Sequence, residues 1–345
     1  MKRLLYIYVV ILISCVHISC AQATSKDVVT VLNRQILLNG NPYLIKGVCY
    51  NPVPKGSNRR DFSDLSKDLE LMKEAGINTI RVYSPIIEET FLDKIHDAGI
   101  RVIVNFGYNQ DGNYDILTGS FIDYINQYKN HPAILFWELG NEYNYHPEWF
   151  DNDIKNWYRA MNNAAEIIHQ NDSNHPVATA YGELPDSTAL ALGPAIDIWG
   201  INVYRWDDPG EIFEQWRGIS TKPMYLSETG ADSYMTAEMK GYKKGENQKA
   251  QADAIRNILE VVFNHRDVCA GVTLFEFSDE WWKAGNINAH DQGGRAPRSS
   301  GVPYDGAPNE EYWGIVNVDR TKKLAFETVK NIYRNISEPE KRIKQ

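Results

Sequence analysis

The chain has 345 residues, of which 43% are hydrophobic and 23% are charged, a composition typical of a folded protein with a sizeable core. The length is compatible with one large α/β barrel. The formal net charge of -9 argues against non-specific binding to nucleic acid, because such binding depends on a basic surface.

The first residues predict export. Residues 1–3 are a basic start, and the apolar stretch that follows, residues 4–13, is too short to span a bilayer comfortably. We therefore expect residues 1–23 to be a signal segment and residues 24–345 to form the mature domain. A short membrane anchor that stays attached is the alternative.

Three cleavage positions stay open in this segment. Cys15 and Cys20 each follow a sequence similar to a lipoprotein signal, and Ala23 ends an ordinary signal-peptidase motif. All three predict a periplasmic, outer-membrane or secreted protein. Membrane attachment is expected only through a lipidated cysteine.

Strand-like and helix-like segments alternate along the rest of the chain. A ribbon is predicted over residues 28–32 and 35–38, followed by an Asn39-Gly40 turn. Eight strand candidates follow, at residues 44–49, 79–83, 102–106, 134–139, 177–181, 198–204, 224–227 and 272–277. Helix candidates are residues 65–75, 88–98, 121–128, 149–170, 248–264 and 325–336. Repeating strand–helix units predict a parallel sheet, and eight strands favour a closed (β/α)8 barrel in a single domain. An open doubly wound sheet is disfavoured because no glycine-rich phosphate turn follows a strand.

Two acidic segments carry the functional prediction. FWELGNE ends at Glu142 and MYLSETG contains Glu228, and each glutamate comes at the end of a predicted buried strand. A buried carboxylate is costly unless it is paired or used. Cleavage of a glycosidic bond needs two such groups, one to protonate the leaving oxygen and one to attack or stabilise the sugar carbon.

The string HPAILFWELGNE, followed by YLSETG, resembles the catalytic pair of glycoside hydrolase clan A, which comprises retaining β-glycosidases on eight-stranded barrels. HPAILFW…GNE is similar to the barrel module of family 2. LIKGVCYNP and MKEAGINTIRVYSP are similar to β-1,3-glucanosyltransferases. The resemblance implies that Glu142 is the acid/base and Glu228 the nucleophile. Glu228 must then stay ionised while Glu142 is protonated, so their environments must separate the two pKa values.

The resemblance also implies substrate-binding roles. Asn141 would bind the sugar 2-hydroxyl, and Tyr204, beside Asn202 at the end of strand six, would hydrogen-bond the nucleophile. Arg81 would face the nucleophile, although a structural ion pair with Glu138 is the alternative.

Further candidates follow other strands. Trp281 or Trp282, after strand eight, would supply the aromatic platform that clan A enzymes carry. Tyr50 and Asn51, after strand one, and Tyr108, after strand three, are predicted at the rim of the cleft. Residues that follow the acid are candidates for a leaving-group subsite: Tyr143, Tyr145, His146 and Trp149. The long segment 283–321 is expected to wall the cleft and to bind distal sugars through Tyr304, Tyr312 or Trp313.

No cofactor and no metal are expected, since the histidines show no zinc-site spacing. Cys49 and Cys269 lie in apolar runs and are predicted to be buried free thiols. We predict a retaining hydrolase of β-linked oligo- or polysaccharides, with β-1,3-glucan favoured. A transglycosylase on β-glucan and a non-catalytic carbohydrate-binding barrel are the alternatives.

Overall fold

A computed structural model describes residues 26–107, 114–294, 308–337 and 340. The predicted signal segment 1–23, Tyr108 and Tyr304 lie outside these residues. Within them, no helix combines the length and the apolar character needed to cross a membrane.

Eight parallel strands form a closed barrel, which confirms the predicted fold. In chain order they are β1 (Ile45–Cys49), β2 (Thr79–Val82), β3 (Arg101–Asn105), β4 (Ile134–Asn141), β5 (Val177–Gly182), β6 (Ile198–Asn202), β7 (Met224–Thr229) and β8 (Cys269–Leu274). Each strand pairs with its neighbours in sequence, and β8 closes the barrel onto β1. Their side chains are almost all buried, because one face lines the barrel interior and the other is covered by helices.

One helix follows each strand. In chain order these are α1 (Leu65–Ala75), α2 (Glu89–Asp97), α3 (Phe121–Tyr128), α4 (Ile154–Asn171), α5 (Ser187–Leu192), α6 (Glu211–Ile219), α7 (Gln248–Asn264) and α8 (Leu324–Asn335). The sequence prediction lacked α6 and also α5, whose six residues are too few to show a clear helical period. It also began α4 too early, because residues 147–150 form a separate 3-10 turn and Asp153 caps the helix through its side chain.

The opening ribbon covers the N-terminal end of the barrel. Its strands are Val29–Leu32, Gln35–Leu38 and Asn41–Pro42. Val29 and Ile36 pack in one cluster with Phe136 and Tyr225, which point into the barrel near the start of β4 and β7. With this end filled, the C-terminal ends of the strands form the mouth where an active site is expected.

The two strands that carry the predicted glutamates are irregular near their C-terminal ends. The pairing of β4 with β5 shifts between Leu139 and Asn141, and that of β7 with β6 shifts between Leu226 and Glu228. Such a shift breaks the alternation of faces along a strand, so consecutive side chains can reach the same side.

Cys49 and Cys269 are buried and free, as predicted. Burial raises the pKa of each thiol to about 12. Both therefore stay protonated, as expected for thiols that fill space in a core.

Candidate active site

The strand ends bring Asn141, Glu142 and Glu228 together at the mouth. Gly140 lies in the left-handed region with a φ of 70°, and Glu142 does so with a φ of 56°. A Cβ on Gly140 would lie 2.5 Å from the ring of Trp157. Only glycine fits this turn without strain, and the turn presents both Asn141 and Glu142 to the site.

Glu228 is held by three hydrogen-bond donors. Arg81 Nη1 and the Tyr83 hydroxyl donate to its Oε1 at 2.9 and 2.8 Å. The Tyr204 hydroxyl donates to Oε2 at 2.8 Å. Donors to a carboxylate stabilise its ionised form, which is the form that a nucleophile needs.

Arg81 bonds both of the partners that the sequence left as alternatives. Its Nη1 contacts Glu228, its Nε donates to Glu138 Oε1 at 2.6 Å, and its Nη2 donates to Asn141 Oδ1 at 2.7 Å. The guanidinium is fully buried, and it therefore fixes the two ends of β4 and β7 relative to each other.

Glu138 forms a layer of polar contacts beneath the mouth. Asn105 Nδ2 donates to Glu138 Oε1 at 2.5 Å, and the Tyr225 hydroxyl donates to Glu138 Oε2. Sequence reasoning missed Asn105, Tyr225 and Tyr83 as site residues. A signal existed for Tyr83, which lies two residues after Arg81 and so shares its face of the strand.

The Glu142 side chain has fewer hydrogen-bond partners than Glu228 among the described residues. Its side chain is buried, and Asn202 Nδ2 is 3.2 Å from its Oε1. Burial raises the pKa of Glu142 to about 8, and the negative charge of Glu228 adds to this rise, while the Asn202 amide opposes it. A carboxyl with this pKa carries a proton at neutral pH and can act as a general acid.

Asn202 connects the two catalytic strands. Its Nδ2 also lies 3.1 Å from Asn141 Oδ1, and its Oδ1 accepts a hydrogen bond from the Ser227 hydroxyl at 2.7 Å. Because its oxygen is occupied by Ser227, its amide nitrogen is oriented toward Asn141 and Glu142.

A buried acidic cluster follows β8. Lys283 Nζ is 2.8 and 2.9 Å from the carboxylate oxygens of Glu276 and 3.4 Å from Glu280 Oε2. Glu280 Oε2 also accepts hydrogen bonds from Trp282 Nε1 at 2.6 Å and from Asn51 Nδ2 at 3.3 Å. Burial raises the pKa of both glutamates, and Lys283 opposes the rise.

The prediction that Tyr50 lines the rim is wrong. Its ring is fully buried, and its hydroxyl donates to Asp68 of α1 at 2.8 Å. Asp68 is in turn paired with Arg320. Tyr50 therefore faces the helical layer, whereas its neighbour Asn51 turns toward the cluster after β8.

The tryptophan pair does not present two free faces to the mouth. Trp281 is stacked on His290, with the ring centres 5.1 Å apart, and the Lys55 ammonium lies 4.2 Å from its centre. Trp282 is partly buried and bound to Glu280. Phe275 directly follows β8 and packs against the Tyr204 ring, with ring centres 6.1 Å apart. The sequence prediction did not include Phe275 among the aromatic residues near the site.

Segment 283–321 lies, where it is described, on the C-terminal side of the barrel. Its backbone pairs with the chain after β8 through Ile315 N to Glu276 O and Val316 N to Phe277 O. The prediction that Tyr312 and Trp313 bind distal sugars is wrong, because both rings are buried and packed against other rings: Tyr312 stacks on His290, and Trp313 lies against Phe275. Trp313 instead packs edge-to-face against the Tyr204 ring, with ring centres 5.1 Å apart.

The residues after Glu142 divide into two groups. Tyr143 and Trp149 pack against the core, and the Tyr143 hydroxyl bonds Gly107 O. Tyr145 remains exposed at its ring, while partial burial of its hydroxyl, followed by the charge of Glu142, raises the pKa of that hydroxyl. His146 stacks on Trp149, with ring centres 3.9 Å apart. Tyr145 is thus the best placed of the four to contact a leaving group.

No group of three or more potential metal ligands occurs among the described residues. The side chains at the mouth provide a protonatable carboxyl, a second carboxyl group held by hydrogen-bond donors, and amides beside both. Such a set can perform acid-assisted nucleophilic displacement at a sugar carbon.

Comparison with known proteins agrees with this chemistry. Residues 29–338 match the family model described as glycosyl hydrolases family 2, TIM barrel domain. The chain is 23% identical over 330 residues to a β-glucuronidase of Mus musculus, covering 84% of this chain and 47% of that protein. It is 28% identical over 127 residues to a β-galactosidase of Pseudoalteromonas haloplanktis, covering 33% of this chain and 12% of that protein.

Among solved structures, a family 2 β-galacturonidase from Eisenbergiella tayi, bound to galacturonate, is similar with a TM-score of 0.68 at 24% identity. The match covers 90% of this chain and 55% of that chain. The chain therefore spans about half, or less, of the length of these relatives, and the structural likeness shows a shared fold.

Proposed function

We propose that this chain, which belongs to glycosyl hydrolase family 2, is a retaining β-glycosidase that uses Glu142 as acid/base and Glu228 as nucleophile. The contrast between the two carboxyl groups carries the proposal. Glu228 accepts hydrogen bonds from Arg81, Tyr83 and Tyr204, while the pKa of Glu142 is raised to about 8. One group is thus prepared to attack and the other to give a proton.

The reaction proceeds in two displacements. A Glu228 oxygen bonds the anomeric carbon while the glycosidic C–O bond breaks, and its electron pair stays on the leaving oxygen, which takes the Glu142 proton. Glu142 then accepts a proton from the incoming water, whose oxygen bonds the same carbon and releases Glu228. Asn141 would bind the 2-hydroxyl, a contact that strengthens in the transition state.

The charges around the site favour a neutral sugar. Five glutamates lie in or beside the mouth, and in the described part of the chain the cations that touch them are Arg81 and Lys283. Those glutamates are 138, 142, 228, 276 and 280. Both cations are already bound to carboxylates. A uronic acid would bring a further negative charge to a site with an excess of carboxyl groups.

Among neutral glycans, we propose β-1,3-glucan as the preferred substrate. LIKGVCYNP and MKEAGINTIRVYSP, which form β1 and β2 with the adjoining α1, support this choice by their similarity to β-1,3-glucanosyltransferases. Transglycosylation is the second candidate, because the covalent intermediate partitions between water and a sugar hydroxyl. The exposed Tyr145 beside Glu142 favours it, since an aromatic ring there gives an acceptor sugar a surface on which to stack.

A substrate panel tests the function. Aryl β-glucoside, β-galactoside, β-glucuronide and β-galacturonide are compared with β-1,3-glucan, and products are read by size. We expect cleavage of the neutral glycosides and of β-1,3-glucan, and loss of activity in Glu142→Gln and Glu228→Gln. Products longer than the substrate indicate transglycosylation. Preference for a uronide contradicts the neutral-sugar proposal, and wild-type enzyme that binds glycans without cleaving any contradicts the glycosidase proposal.

Export is a separate part of the proposal. The basic start and apolar stretch of residues 1–13 support a signal segment, and Cys15 and Cys20 are the candidates for lipidation. Cell fractionation with labelled palmitate, comparing Cys15→Ala with Cys20→Ala, tests it. Label lost in one variant identifies the lipidated cysteine. Absence of label from the wild type and from both variants favours cleavage after Ala23. Protein retained in the cytoplasm contradicts export.

A further inference from the structure

The two oxygens of Glu228 have unequal hydrogen bonding. Oε1 accepts from both Arg81 Nη1 and the Tyr83 hydroxyl, at 2.9 and 2.8 Å. Oε2 accepts from the Tyr204 hydroxyl, at 2.8 Å. A carboxylate oxygen has two in-plane lone pairs, so the two donors on Oε1 occupy the directions from which that oxygen could attack a carbon atom.

Tyr83 is well placed to hold this arrangement. It directly follows β2, two residues after Arg81, and the two side chains therefore extend from the same face of the strand. The guanidinium carbon lies 4.9 Å from the centre of the Tyr83 ring. Since the ring is only partly buried, Tyr83 forms part of the wall of the mouth.

Tyr83 and Tyr204 approach the nucleophile from different strands. Tyr204 follows β6 and is backed by Trp313, with ring centres 5.1 Å apart. Burial holds the pKa of both hydroxyls well above the usual value of a tyrosine. Both therefore remain protonated donors over the whole pH range in which an enzyme of this kind works.

We propose, resting on the retaining mechanism above, that Tyr83 is a positioning residue that together with Arg81 engages one oxygen of Glu228 and so leaves the oxygen facing Tyr204 to attack. In the first displacement, the attacking oxygen bonds the anomeric carbon, and the oxygen held by Arg81 and Tyr83 becomes the carbonyl oxygen of the ester. In the second, the ester bond breaks and negative charge returns to the carboxylate. The Tyr83 hydroxyl stabilises that returning charge.

This assignment predicts a distinct kinetic signature for Tyr83→Phe. Loss of a hydrogen bond to a charged group lowers kcat by roughly 10- to 100-fold. With an activated aryl glycoside KM falls together with kcat, because the slower second step makes the intermediate accumulate.

Tyr50→Phe is the matched control. It removes a tyrosine hydroxyl from another buried carboxylate, Asp68, away from the mouth. We expect lower stability, with kcat and KM of the folded enzyme unchanged. A Tyr83→Phe enzyme whose kcat and KM equal those of the wild type overturns the proposal. Site-specific 3-fluorotyrosine at position 83 provides a second variant: because its hydroxyl still donates a hydrogen bond, it should keep kcat and KM close to the wild-type values, and a loss as large as that in Tyr83→Phe contradicts the assignment.

A trapped intermediate tests the geometry directly. The wild type is labelled with the 2-deoxy-2-fluoro glycosyl fluoride of the sugar that the panel selects, and the ester is located by crystallography. We expect the sugar on the oxygen facing Tyr204, with the carbonyl oxygen within hydrogen-bond distance of Arg81 and Tyr83. An ester on the oxygen facing Arg81 and Tyr83 overturns the inference while leaving the glycosidase proposal intact. A wild type that neither turns over nor becomes labelled overturns the proposed function itself, and the inference with it.

Discussion

Glu142 and Glu228 are the same residue type at the ends of two strands of one barrel, and their exposed fractions are nearly equal, 6% and 5%. Their partners differ. Glu228 is contacted by a guanidinium and two tyrosine hydroxyls, whereas among the described residues the Glu142 side chain has one hydrogen-bond donor, the Asn202 amide. Two equally buried carboxyl groups thus have different hydrogen-bonding environments.

The difference shows that two equally buried carboxyl groups can be distinguished by their hydrogen-bond partners. Burial raises the pKa of Glu142, whereas Arg81, Tyr83 and Tyr204 donate hydrogen bonds to Glu228. The charge kept on Glu228 then raises the pKa of Glu142. The protonation of Glu142 therefore depends on Glu228, and a substitution at Glu228 should alter the pKa of Glu142.

The largest effect is expected from Glu228→Ala. Without the nucleophile, turnover should fall by roughly 10^4-fold or more, as it does when a residue central to covalent catalysis is removed. Azide should restore turnover by attacking in its place, and the product should be an α-glycosyl azide identified by NMR. Glu260→Ala, on the exposed side of α7, is the control and should retain full activity. Undiminished turnover in Glu228→Ala contradicts its assignment as nucleophile.

Glu142→Gln should cost less, and the cost should depend on the leaving group. General acid catalysis contributes about 10^2–10^4-fold, so we expect losses of that order for alkyl glycosides and for glycans. A dinitrophenyl glycoside, which needs no proton to depart, should lose far less in its first step. Measured kcat/KM across a series of aryl leaving groups checks this. A uniform loss across the series would mean that Glu142 binds substrate and does not donate a proton.

How much of this contrast the sequence predicts depends on strand geometry. The two glutamates and Arg81 could be placed because each belongs to a distinctive string at a strand end, and the same holds for Tyr204. The register shifts after Leu139 and Leu226 could not be predicted. A shift of one residue reverses the face on which every later side chain lies, and alternation alone does not reveal it.

The errors have the same origin. Tyr50 and Asn51 are neighbours after β1, yet one faces α1 and the other faces the mouth. Trp313 was expected to bind sugar, whereas it packs behind Tyr204. An aromatic residue near a strand end is equally suited to a core and to a sugar surface, and only the path of the backbone distinguishes the two.

The turn that presents Glu142 can be broken without removing either carboxyl group. Gly140→Ala introduces a Cβ 2.5 Å from the Trp157 ring at a φ of 70°. Gly99→Ala is matched, because its φ is 77° and no atom lies within 4 Å of the added Cβ. Backbone strain of this kind costs about 1–3 kcal/mol in either variant. We expect thermal unfolding to show that cost in both, and activity to fall at least tenfold further in Gly140→Ala. Equal activities in Gly140→Ala and Gly99→Ala would show that the Trp157 ring shifts without displacing Glu142.

The smallest effect is a shift in pH dependence. With the pKa of Glu142 raised to about 8, kcat/KM should fall as the pH rises through that value, because the acid then loses its proton. Removing the charge of Glu228 by Glu228→Gln should lower this pKa, by roughly a tenfold change in the ionisation constant or more. Carbon-13 NMR of labelled glutamate follows the ionisation directly, since the variant has little turnover. Asp61→Asn, an exposed substitution after β1, should leave it unchanged. Should the Glu142 resonance titrate identically in Glu228→Gln and in the wild type, burial alone sets its pKa, and the coupling between the two glutamates is absent.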